Sequence, residues 1–333
     1  MRSGRTLTAV GVLAVSTLAC HDAGQGPEVH VTVPPGSPFV AVVDTLAARG
    51  LVSNPLLFRV YAKARSAEAR VRSGRYAFHE GDGWGRVLDD LVAGRVQTVT
   101  LTIPEGFTLK QMAPRIAELS ETSPAAALDA LSDPQAHTRY SVPGPGLEGY
   151  LFPDTYRFAS GTALSGVIET MAGRYRAFWT AERRARLNAV GLSEAELVTL
   201  ASIVQAEARR PDEMPRIASV YHNRLDRGWR LEADPTVLYA LGGPRERLLY
   251  AAIDSVANNP YNTYRQAGLP PGPIGAPGAA ALEAALNPAG EPFLFFVARP
   301  DGYHTFTRTL AEHNRAKAAA QRAFREVRSD RPS

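Results

Sequence analysis

The stretch that most limits how this chain can fold is residues 193–210. Ser193-Glu194-Ala195-Glu196 reads as a capping box, a Ser N-cap with Glu three residues on. Both glutamates also suit the positive end of a helix dipole. The helix opened there carries Leu197, Leu200, Ala201, Val204 and Ala208 on one stripe, and only Thr199, Ser202 and Ala206 face the other way. A helix apolar nearly all round has to be enclosed by other elements. The chain has 333 residues, 45% of them hydrophobic, enough to enclose it within one large domain or two modest ones.

Two polar side chains ride on that helix. At about 100° per residue, Glu207 falls on one flank, between Leu200 and Ile203, and Gln205 on the opposite flank, between Ala201 and Val198. A carboxylate in apolar surroundings is costly unless paired or protonated. Burial raises its pKa toward the range a general acid uses. The plainer reading is a structural ion pair with Arg209, Arg210 or Arg224, and periodicity does not choose between the two. The next helix, residues 215–227, starts with Pro at its first position and stops at Gly228. Its stripe is Ile217, Val220, Tyr221, Arg224 and Leu225. Arg224 there could steer Glu207, bind substrate, or simply pack its stem while its head reaches water.

The N-terminus carries an address. Arg2 and Arg5 precede an apolar run, residues 7–19, shorter than the roughly 20 residues that span a bilayer. The run fits a signal-peptide h-region, with Ala19 just before Cys20. Cys20 is the only cysteine, and its place suggests lipidation; the alternative is an uncleaved signal anchor. Either way, residues 1–20 are expected to hold the chain at the bacterial inner membrane, with the rest extracytoplasmic. Residues 21–28 (HDAGQGPE) read as a tether.

The expected fold class is α+β. Val29, Val31 and Val33 alternate with polar residues as a strand, ended by Pro34-Pro35-Gly36. A helix from Phe39 is closed by Gly50, and a second opens at Asn54-Pro55. Residues 76–78 read as a strand, residues 87–92 as a short helix before Gly94, and Val99, Leu101 and Ile103 alternate again. Residues 29–103 therefore form a small α+β module. Residues 104–190 are helix-rich, residues 191–325 hold the densest motifs, and residues 326–333 read as a polar tail.

Several chemistries are not expected. Net charge is only +4, and no RNP, zinc-finger or helix-turn-helix signature accompanies the arginines, so nucleic acid is not an expected partner. One cysteine and seven scattered histidines offer neither a disulfide nor metal-ligand spacing, and no cofactor is called for.

Seven blocks follow one another along residues 147–314: LEGYLFPDTYRF, ASIVQAE, IASVYHNRL, LEADPTVLY, YNTYRQAGLPPGPIGAPG, FLFFVA and HTFTRTLAEHN. Together they resemble the YceG-like endolytic murein transglycosylases, and a looser likeness reaches back to about residue 30. The resemblance implies a catalytic glutamate at the end of ASIVQAE, which is Glu207. The family's pattern carries a second acid where this chain has Gln205. The resemblance also implies a LysM-like, glycan-associated module at residues 29–103 and a catalytic core at residues 191–325. Peptidoglycan glycan strands are the implied substrate, and the peptidoglycan synthases of elongation and division the implied partners. In the matched blocks, Arg224, Asn262, Thr263, Tyr264 and His304 rank as substrate contacts below Glu207, with Glu148 and Asp154 as cleft residues. Asp234, before Pro235, reads as a helix cap or turn residue. Tyr150, Phe152 and Tyr156 read as core or as sugar-stacking rings, core being the plainer reading. Four prolines stiffen residues 269–277, as either a groove wall or a rigid turn.

Glycosidic cleavage needs a proton on the leaving oxygen and stabilisation of an oxocarbenium-like sugar. In the class this chain resembles, the C6 hydroxyl of the muramic acid captures that cation, giving a 1,6-anhydro end without water. One carboxyl acting as acid and then base is adequate for this, so Gln205 is not fatal. Two readings compete: an inverting hydrolase with Asp154, Glu148 or Asp234 as base, and a non-catalytic wall-binding or divisome scaffold.

Overall fold

The computed structural model describes residues 23–243, 245 and 248–329, with the side chains of residues 328 and 329 left aside. The signal or anchor expected at residues 1–20, Cys20 included, lies outside the described residues. The fold is mixed α+β, as expected, in two compact units. One comprises the described residues up to Thr98 with Ala159–Gly161, the other Val99–Phe158 with the described residues from Thr162 onward.

In the smaller unit, β1 (Glu28–Val33), α1 (Phe39–Ala48), α2 (Pro55–Ala64), β2 (Gly74–His79) and α3 (Trp84–Ala93) follow in order. β1 pairs antiparallel with β2, so that Val31 faces Tyr76 and Val29 faces Phe78. Inward positions of this alternation meet the helix stripes in one core, with Val43, Leu46, Phe58, Tyr76 and Leu91 all fully buried. Local rules set the ends: the Asn54 side chain accepts the Leu57 N–H at 3.1 Å, and Gly94 closes α3 at φ +70.

The larger unit takes up β3 (Thr98–Thr102), α4 (Leu109–Leu119), α5 (Pro124–Leu131), α6 (Ala136–Arg139), β4 (Thr155–Ala159), α7 (Leu164–Phe178) and α8 (Ala181–Val190). Then come α9 (Glu194–Glu207), α10 (Met214–Asp226), α11 (Asp234–Ala240), α12 (Tyr250–Ser255), α13 (Ala279–Leu286), β5 (Phe295–Ala298), β6 (His304–Thr307) and α14 (Leu310–Ser329). β3 pairs with β4, and β5 with β6. Leu101 and Ile103 enter the core of this unit, so the small module ends at Thr98 rather than at residue 103. α14 likewise runs on into the stretch expected to be a polar tail.

α9 is the axis of the larger unit. Its capping box forms as the sequence dictates, with Ser193 and Glu196 exchanging hydrogen bonds. Leu197, Val198, Thr199, Leu200, Ala201, Ser202, Ile203 and Val204 are all buried, under α10, α11 and α13. The buried hydroxyls are satisfied: Thr199 Oγ1 donates to the Ala195 carbonyl at 2.8 Å and Ser202 Oγ to that of Thr199 at 2.7 Å. Ser202 Oγ also accepts the Ile274 N–H at 3.0 Å, which pins the proline-rich loop to α9. No single helix among the described residues is long and apolar enough to cross a membrane.

Candidate active site

Glu207 is the last residue of α9; Ala208 already has extended backbone angles (φ −77, ψ 121). A 3-10 turn at Pro211–Glu213 reverses the chain into α10, which carries Tyr221 back to the end of α9. Tyr221 Oη, on a side chain 1% exposed, donates to Glu207 Oε1 at 2.8 Å. Glu207 is itself half-buried. Burial pushes its carboxyl up to about 7. The Tyr221 hydrogen bond opposes that shift, the charge of Asp234 adds to it, and the more weakly felt Arg224 opposes it. Among the described residues Glu207 makes no ion pair. Arg210 instead lies over the Tyr303 ring, 5.1 Å from its centroid.

Asp234 and Tyr264 complete this corner. Asp234 opens α11, yet the N-cap position is Ala233 and Asp234 does not cap the helix. Its Oδ1 accepts the Tyr264 hydroxyl at 2.6 Å. Burial, then the Asp234 carboxylate, hold the Tyr264 hydroxyl protonated well above the usual tyrosine range. Asn262 and Thr263, expected to touch substrate, are buried instead. They are 0% and 1% exposed. Asn262 donates to the carbonyls of Ile253 (2.9 Å) and Val256 (3.1 Å) and accepts the Tyr264 N–H (3.1 Å). Thr263 Oγ1 accepts the Ala233 N–H at 3.0 Å and lies 2.8 Å from Thr236 Oγ1. Their polar groups are spent inward, orienting Tyr264 and the start of α11.

Three further expectations change. Arg224 is 8% exposed, and its head does not reach water as a snorkelling arginine's would. Nε donates to the Leu294 carbonyl at 2.8 Å and an η nitrogen to that of Leu231 at 2.6 Å, so Arg224 staples α10 to two other segments. His304 is buried with its Nδ1 2.9 Å from Glu213 Oε2, and its N–H donates to Glu213 Oε1 at 3.1 Å. It abuts Phe296, which in turn meets Tyr221 edge-on, so His304 stands behind the site. Asp154 is exposed and paired with Arg174 at 3.0 Å, a surface ion pair outside the Glu207 corner. Tyr150, Phe152 and Tyr156 are buried core residues.

Gln205 and Glu148 occupy other places. The Gln205 side-chain oxygen accepts the Gly278 N–H at 3.0 Å, at the start of α13, on the far flank of α9 from Glu207. Glu148 lines a cavity of about 410 Å³ together with Tyr239, Tyr261 and Pro273 of the proline-rich loop. Burial pushes the Glu148 carboxyl up to about 7, against hydrogen bonds from the Leu109 N–H and the Tyr239 hydroxyl. The structure thus gathers Glu207, Asp234 and Tyr264, adds Tyr221, and leaves Glu148 apart from them in the cavity it lines. Tyr221 was legible only as a stripe residue. The signal that could have found it is that a tyrosine on a buried stripe needs an acceptor for its hydroxyl.

Comparisons with known proteins place the chain in a family. The model of the YceG-like family matches residues 31–319. A Bacillus subtilis (strain 168) protein named endolytic murein transglycosylase is 32% identical over 305 residues, covering 87% of this chain and 84% of that protein. One of the same name from Streptococcus pneumoniae (strain D39) is 30% identical, over 88% of this chain but 58% of its own length. A crystal structure of a yceG-like protein from Listeria monocytogenes aligns with TM-score 0.60 at 31% identity, covering 87% of this chain and 99% of that one. A single family match across nearly the whole of both compact units means that this chain belongs to the YceG-like family.

Proposed function

We propose that this chain cuts peptidoglycan glycan strands endolytically, as a non-hydrolytic lytic transglycosylase, with Glu207 as acid and then base. One observation carries the reading: a half-buried carboxyl, raised to about 7 and held by a single tyrosine hydroxyl, stands at the end of a rigid buried helix. Its proton is available near neutral pH without a metal or cofactor. The names of the Bacillus and Streptococcus relatives support the substrate and the reaction type.

In the proposed reaction Glu207 gives its proton to the oxygen joining N-acetylmuramic acid to N-acetylglucosamine. The bond from the muramic acid C1 to that oxygen breaks, leaving an oxocarbenium-like C1. The C6 hydroxyl of the same sugar attacks C1, and its proton passes to the Glu207 carboxylate. The products are a free 4-hydroxyl and a 1,6-anhydro end, and no water is consumed. Tyr221 holds the carboxyl in one orientation and steadies it when it is ionised. Asp234, kept in place by Tyr264, disfavours that ionised form and so keeps the proton ready between turnovers.

The smaller unit reads as a LysM-like, glycan-associated module; its pair of helices between two antiparallel strands supports this. The basic start, the apolar run at residues 7–19 and Cys20 support an inner-membrane anchor, lipidated or spanning, with both units extracytoplasmic. Cutting beside the membrane fits termination of nascent strands, in company with the synthases that extend them. The test is Glu207→Gln, which keeps shape but loses the proton. The full chain with this change is expected to release at least a thousandfold less product from purified strands; release at the wild-type rate removes Glu207 from the mechanism.

A further inference from the structure

We infer that the cavity bounded by Glu148, Tyr239 and Tyr261 is a second saccharide subsite, which takes an acetamido-sugar unit of the strand away from the bond being cut. The inference rests on the proposed reaction at Glu207 and extends it along the polymer.

The cavity, of about 410 Å³, has the size of small-ligand sites. Its wall pairs an apolar surface with a few fixed polar atoms. The Tyr239 and Tyr261 rings sit 4.9 Å apart at 46°, a platform for the C–H face of a pyranose. Glu148 is anchored twice: Oε1 accepts the Leu109 N–H at 3.1 Å and Oε2 accepts the Tyr239 hydroxyl at 3.2 Å. The Leu109 N–H also reaches Oε2 at 3.3 Å, so Oε1 is the oxygen that keeps a further lone pair for a hydroxyl or an amide N–H. These hydrogen bonds tie the carboxyl to the start of α4 and to α11, yet they leave any charge on it uncompensated. Among the described residues no cation pairs with it, and a buried acid without a cation is costly. Being raised to about 7, it can also donate, as sugar hydroxyls require of a partner.

The same elements carry the Glu207 corner and this cavity. α11 carries Asp234 at its start and Tyr239 five residues on, about 7.5 Å along the axis. One loop carries both Tyr261 and Tyr264. Pro273 lines the cavity, and its neighbour Ile274 is bonded to Ser202 on the Glu207 helix. The two subsites are therefore held at a fixed separation, as recognition of a chain interior requires.

The test uses the full chain carrying Glu207→Gln, titrated calorimetrically with peptide-free strand fragments, a disaccharide and an octasaccharide of alternating N-acetylglucosamine and N-acetylmuramic acid. Tyr261→Ala and Glu148→Gln are expected to weaken octasaccharide binding about tenfold and disaccharide binding less than twofold. Gly146→Leu is a second route. Gly146 lines the cavity, and a Cβ there meets no atom within 4 Å, so a leucine adds bulk at the cavity wall without a clash against the fold. It is expected to give the same length-selective loss. Unchanged octasaccharide affinity in Tyr261→Ala and Gly146→Leu, or equal losses for both lengths, overturns the subsite. If wild-type protein makes no anhydro ends, the proposed reaction fails, and the binding titration still judges the subsite by itself.

Discussion

At the scale of the residue, the account turns on where Glu207 keeps its proton. Burial favours the neutral acid, and Asp234 adds to that; Tyr221 and Arg224 favour the carboxylate. The acid form starts the reaction, so kcat/KM is expected to fall as pH rises past about 7. Asp234→Asn removes a charge that raises the Glu207 pKa, and the falling limb moves to lower pH. Tyr221→Phe removes a bond that lowers it, and the limb moves to higher pH while kcat drops about tenfold or more, the worth of a hydrogen bond to a charged group. pH–rate profiles on purified strands check this, and shifts of both variants in the same direction contradict it. Gln205 fits the same picture. It bonds to Gly278 and carries no charge toward Glu207, so its side chain does not enter this proton equilibrium.

At the scale of the element, α9 was legible because its signals are local: Ser193 and Glu196 three apart, and apolar residues on every side. The same holds for the Asn54 cap and for Gly94. What sequence did not disclose was the inward or outward aim of polar side chains in loops. Asn262 and Thr263 look like substrate contacts in YNTY, yet they serve backbone groups 6 to 30 residues away. Tyr221 was hidden for the converse reason, since its partner lies on another helix and no spacing rule links residues across a turn. Arg224 belongs here as well. Its fork joins α10 to the carbonyls of Leu231 and Leu294, bonds a point charge does not reproduce. Arg224→Met is expected to cost about 3 kcal/mol by urea unfolding, leaving two buried acceptors unmet, and Arg224→Lys to recover less than half of that. Full recovery by lysine contradicts the stapling role.

At the scale of the whole molecule, a family match over residues 31–319 spans both units, whereas periodicity alone set the module boundary at residue 103 by assigning Leu101 and Ile103 to the wrong core. Stability should also bear the mark of the two raised carboxyls, Glu207 and Glu148. Each is protonated in the folded state up to about 7 but only to about 4.5 when unfolded. Their contribution is complete below pH 4.5 and is lost as pH rises through 7, by roughly 1–3 kcal/mol per group. Thermal midpoints of Glu207→Gln and Glu148→Gln should therefore fall less over that interval than those of the wild type. The central claim, that the strand's own C6 hydroxyl replaces water, is tested most directly by digesting purified glycan strands with the wild-type full chain in heavy-oxygen water and weighing the released fragments. The account predicts fragments ending in 1,6-anhydro-N-acetylmuramic acid that carry no heavy oxygen. Reducing ends carrying one heavy oxygen each would contradict it and make the enzyme a hydrolase.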